Sequence, residues 1–108
     1  MPPDDHDPVI DQIVERLVRD FHPDRIYLFG SRARGEGGPH SDYDVLLVLK
    51  EITDRKYRIS QAAYLALRDV PAAVDVVVWA KDDFDRRQRS VASLPATVLR
   101  EGRLLYAA

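Results

Sequence analysis

The sequence predicts a small α/β domain, a sheet with helices packed mainly on one face. Three observations predict it. Val45 to Leu49 is apolar at every position, as a strand covered on both faces must be. Val74 to Trp79 is the most β-branched run in the chain, which favours a second buried strand. Between and around these runs, apolar residues recur at helical spacing, so helices alternate with strands along the chain.

The elements follow in order. Residues 1–6 read as a loose tail. Asp7-Pro8 is a helix start, with an acceptor for the first free amides and a ring pre-set for the first turn. Ile10, Ile13, Val14, Leu17, Val18 and Phe21 then form one face of a helix that His22-Pro23 ends, leaving His22 at the surface. A strand over Arg25 to Phe29 delivers the chain to Gly30-Ser31, where a short helical turn over residues 31–35 would point free amides at a common spot. Glycine there lets a phosphate approach the main chain, and Ser31, Arg32 and Arg34 supply a hydroxyl and positive charge. The loop from Gly35 to Ser41 holds three glycines, Pro39 and His40; it reads as mobile, with His40 an exposed loop residue.

After the strand ending near Leu49, Asp54 is expected to cap a helix of roughly residues 55–69. Its buried stripe is Ile59, Ala62, Ala63, Ala66 and Leu67, with Tyr57 and Tyr64 nearby, and Pro71 closes it. A strand over Ala73 to Ala80 follows. Lys81 to Arg89 is a polar, largely basic stretch, the signature of a solvated helix face or of a partner contact. Ser93-Leu94-Pro95 starts a last helix to about Glu101, Gly102 ends it, and Arg103 to Tyr106 adds a short final strand.

Composition narrows the function classes. The 108 residues read as one domain, with sixteen basic against eighteen acidic side chains and net charge −2, so no global basic field invites non-specific nucleic-acid binding. The absence of cysteine excludes disulfides, thiolate metal sites and thiol nucleophiles. An acidic N-terminus without an apolar core is no signal peptide, and no apolar run approaches a membrane span; a cytoplasmic protein is the expectation.

The chemistry is carried by carboxylates. Asp42 and Asp44 are two apart, so on an extended chain they point to one side, about 6 to 7 Å apart. Asp44 shares its strand face with Leu46 and Val48, and Asp75 shares its own with Val77 and Trp79. A carboxylate so placed is costly unless paired, hydrogen-bonded or metal-bound. If the two strands are neighbours, the three aspartates converge and call for cations, Mg²⁺ or Mn²⁺, that accept oxygen ligands. A calcium loop of the helix-loop-helix kind does not fit: counted from Asp42, its sixth position is Leu47 and its twelfth Thr53.

Gly30-Ser31, ten residues, Asp42-Tyr43-Asp44, and a single aspartate in a valine-rich strand about thirty residues later resemble the nucleotidyltransferase superfamily typified by DNA polymerase β. More narrowly, the chain resembles minimal nucleotidyltransferase (MNT) domains, over nearly its whole length. The resemblance implies a mixed sheet. It implies that Gly30 and Ser31 hold a triphosphate, that Asp42 and Asp44 bridge two metal ions, and that Asp75 holds the acceptor-side metal and helps deprotonate a hydroxyl. It further implies ATP as donor and a helical HEPN toxin as partner, one of whose tyrosines receives AMP, so that the chain acts as antitoxin within a hetero-oligomer. Larger members carry a second, helical domain, and a lone catalytic domain would need such a partner. Two rivals stand beside this reading: a non-catalytic antitoxin that only covers its partner, and a nucleotidyltransferase acting on a small molecule of the aminoglycoside type.

Overall fold

The computed structural model describes residues 7–38 and 41–108, and its first element is the helix that the apolar spacing predicts. Helix α1 (Pro8–Phe21) is opened by Asp7, whose carboxylate accepts from the Val9 amide at 2.9 Å, and closed by His22 in the left-handed conformation at φ 46°. Its Ile13 and Leu17 are fully buried. The expected tail over residues 1–6, and His40, lie outside the described residues.

Four strands form one sheet in the order β3-β2-β1-β4. Strand β1 (Arg25–Phe29) runs antiparallel to both β2 (Tyr43–Leu49) and β4 (Arg103–Ala107), while β2 runs parallel to β3 (Val74–Ala80). The sheet is therefore mixed, with the wholly apolar run of β2 inside and the valine-rich β3 at an edge.

Alternation along the strands divides the core into two layers. One face sets Ile26, Leu28, Val45, Leu47, Val76 and Val78 against Ile13 and Leu17 of α1 and Ala63 of α3 (Lys56–Ala66). The other sets Tyr27, Leu46 and Val48 against Phe84 of α4 (Lys81–Arg87) and Val98 of α5 (Leu94–Glu101). The two longest helices thus share one face, as expected, and the shorter pair closes part of the other. Phe84 is fully buried, stacked on Tyr27 with ring centroids 5.4 Å apart and edge-on to Trp79 at 6.5 Å. This apolar anchor shows α4 to be a docked element rather than only the solvated stretch its charges suggested.

Three local expectations need correction. Asp54 does not cap α3: its carboxylate accepts from the adjacent Arg55 amide at 2.7 Å, before the helix begins. The helix stops at Ala66 and gives way to turns, one of which, closed by the Val70 amide on the Leu67 carbonyl, carries Val70 into the core. Ala62 is exposed, because the helix meets the sheet along Ile59, Ala63 and Leu67, and a residue one position off that line turns away by about 100°. Gly102 does end α5, but through close approach: a Cβ there would lie 2.6 Å from the Val98 carbonyl oxygen and 2.7 Å from that of Leu28.

Candidate active site

The face closed by α4 and α5 is laid down in register rows. Arg25, Val48 and Trp79 form one row, Tyr27, Leu46 and Val77 the next, and Phe29, Asp44 and Asp75 the third. The first two rows are where Phe84 and Val98 pack. The third lies at the opposite end, where β1 ends and the parallel pair β2 and β3 begin. Asp44 and Asp75 are direct register partners, so their Cα atoms stand one strand spacing, about 4.8 Å, apart on the same face. Asp42 lies two residues before Asp44 and is exposed, as is Asp75; Asp44 is half-buried.

Gly30 fits beneath this row. It has φ +75°, in the left-handed region, and a Cβ on it would stand 2.2 Å from Asp44 Oδ2. Two constraints therefore demand glycine: the backbone shape and the carboxylate lying against it. Helix α2 (Gly30–Ala33) is a single turn, starting one residue earlier than expected. Ser31 is half-buried within it, and its carbonyl accepts from the Glu36 amide at 2.9 Å, folding the loop back.

The two arginines of this turn part company. The Arg32 guanidinium lies 3.9 Å from the centre of the Tyr43 ring, and its Nε donates to the Ser41 carbonyl at 2.8 Å. Tyr43 belongs to the face covered by α1 and α3, so Arg32 pins the base of the loop on that side. Arg34 pairs with Glu36 at 3.2 Å, and its charge is felt at Asp44, where it favours ionisation. The loop read as mobile is also held by the Gly38 amide, which donates to Ser41 Oγ at 2.9 Å.

Burial pushes the Asp44 carboxyl above its ordinary value, and the charges of Asp75 and Asp42 push it the same way, offset in part by Arg34. Among the described residues no three His, Asp or Glu side chains are drawn together tightly enough to hold a metal ion between them. The register nonetheless brings Asp44 and Asp75 side by side, with Asp42 two residues before Asp44 in the chain. All three are hard oxygen donors, two of them at the surface where a short side chain can rotate, so the set suits a divalent cation such as Mg²⁺. Sequence reasoning missed Tyr64, whose hydroxyl donates to Asp75 Oδ1 at 3.4 Å; that contact depends on how α3 packs against β3, for which the sequence holds no local signal.

The site thus sets a glycine turn against clustered carboxylates at one end of a mixed sheet. The nucleotidyltransferase domain model matches residues 10–98, and the chain belongs to that family. Over 80 residues it is 29% identical to MntA of Haemophilus influenzae, a probable protein adenylyltransferase, spanning 74% of this chain and 68% of that one. Among solved structures, a chain of a toxin–antitoxin complex with AMP-PNP matches with TM-score 0.57 and 28% identity, over 92% of this chain and 73% of its own. A second match is to the complex of a tri-AMPylated HEPN toxin of Shewanella oneidensis with its MNT antitoxin, at TM-score 0.53 and 25% identity, over 94% and 71%. The MNT resemblance, and the mixed sheet that this resemblance implied, are both borne out.

Proposed function

We propose that this nucleotidyltransferase moves AMP from ATP to a tyrosine hydroxyl of a HEPN-family toxin, and so serves as the antitoxin of a cytoplasmic pair. The observation that carries this reading is the register pairing of Asp44 with Asp75 over Gly30, at the end of the sheet face that α4 and α5 leave open. The relatives seen with AMP-PNP and with an AMPylated HEPN toxin support the choice of nucleotide and partner.

Asp42, Asp44 and Asp75 would hold Mg²⁺, with Mn²⁺ an acceptable substitute. Such cations, when bound, offset the crowded carboxylates and stabilise charge on the attacking and leaving oxygens. Gly30, lacking a side chain, lets the Asp44 carboxylate lie against the turn, where the main chain and the Ser31 hydroxyl would meet the triphosphate. The positive charge of Arg34 near Asp44 suits the same anion, while Arg32 serves by fixing the loop that carries both. Asp75, exposed on the edge strand β3, is open to an incoming hydroxyl, which fits it to orient that hydroxyl and take its proton.

The test is transfer of label from α-labelled ATP to a co-expressed HEPN partner. Label on the partner with Mg²⁺ and the native chain, and none with D42A/D44A, is the expected result. A tight complex that neutralises the toxin equally well with D44N would instead support the binding-only rival, and label on an aminoglycoside alone the small-molecule one.

A further inference from the structure

We infer that the chain carries an acceptor of its own, Tyr64, and adenylylates that hydroxyl in the absence of a partner; this rests on the adenylyl-transfer reading above. Among the described residues, Tyr64 is the only one whose hydroxyl is hydrogen-bonded to any of Asp42, Asp44 and Asp75. It belongs to α3, which covers the opposite face of the sheet, so it reaches Asp75 around the outer edge of β3. Its hydroxyl therefore meets Asp75 from the outer edge of β3, a side open to solvent. The side chain is 49% exposed and lines, with Asp75, Val74 and Ala73, a groove of about 330 Å³ along that edge. The 3.4 Å separation from Asp75 Oδ1 is loose, as catalytic hydrogen bonds often are before substrate binds.

The step balances with a nucleoside triphosphate as the sole co-reactant. Tyr64 Oη forms a bond to the α-phosphorus, the bond from that phosphorus to the bridging oxygen breaks, and pyrophosphate leaves with the electron pair. The phenolic proton passes to the Asp75 carboxylate. Tyr57, on the same helix and 53% exposed, makes no such contact and supplies the control.

The experiment incubates the purified chain alone with Mg²⁺ and α-labelled ATP, maps any label by peptide mass, and repeats this with Y64F, Y57F and D75N; circular dichroism verifies folding of each. In parallel, the native chain is assayed for transfer to a co-expressed HEPN partner. Label on Tyr64 that survives in Y57F and is lost in Y64F and D75N is the expected result, with a rate per molecule independent of protein concentration. Label on the partner but never on Tyr64 would overturn the inference and leave adenylyl transfer standing. No label on either protein would overturn both.

Discussion

The carboxyl of Asp44 is held above the ordinary value of 3.8 by burial first, then by the charges of Asp75 and Asp42. A carboxylate with a raised folded-state value makes ionisation destabilising: the penalty is absent below the ordinary value and complete above the raised one. D44N is therefore expected to raise the melting temperature of the metal-free protein at pH 7, the gain shrinking as pH falls toward 3.8. The same variant is expected to lower the rate of nucleotidyl transfer by about 10²–10³-fold, the scale of removing one preorganised electrostatic group. Thermal melts across pH, beside the rate, check both; a variant less stable than the native chain at neutral pH would contradict the account. At this scale the sequence was legible in its carboxylates and its glycine, whose chemistry is fixed by residue type. It was less so for Arg32 and Arg34, because on a helical turn side chains two apart project about 200° apart and only one can face the site.

Among the elements, α4 decides where the site ends. Seven residues with one apolar side chain give no periodicity to read, so its charges dominated the expectation. Phe84 nevertheless closes the face beneath the site. Arg25 lies over it, its guanidinium 5.0 Å from the Phe84 ring, and pairs with Asp24 at 2.9 Å and Asp85 at 2.7 Å. Part of the basic stretch is spent internally as well: Lys81 pairs with Asp85, and Arg86 with Asp83. F84A is expected to cost about 3–5 kcal/mol, a large share of the roughly 5–15 kcal/mol that holds a small domain together. Urea unfolding measures it; a loss within about 0.5 kcal/mol, as at a surface position, would mean that α4 does not anchor this face. The strands were easier to foresee than the helix ends, because an apolar run shows itself directly, whereas a cap such as that expected of Asp54 depends on one rotamer and one hydrogen bond.

Across the whole molecule, the sheet order does what no single stretch of sequence could state. Asp44 and Asp75 lie on runs separated by a helix, and only the parallel pairing of β2 with β3 makes them neighbours. The sequence made that pairing a condition; the long-range register satisfies it. Among the described residues no helix is long and apolar enough to cross a membrane. The central claim is that these three aspartates form one cation site for nucleotide chemistry, and Mn²⁺ binding followed by electron paramagnetic resonance with a non-hydrolysable ATP analogue tests it without any partner. The expected result is Mn²⁺ bound by the native chain and held at least about tenfold more weakly by each of D42A, D44A and D75A. Equal binding by all four proteins would contradict it.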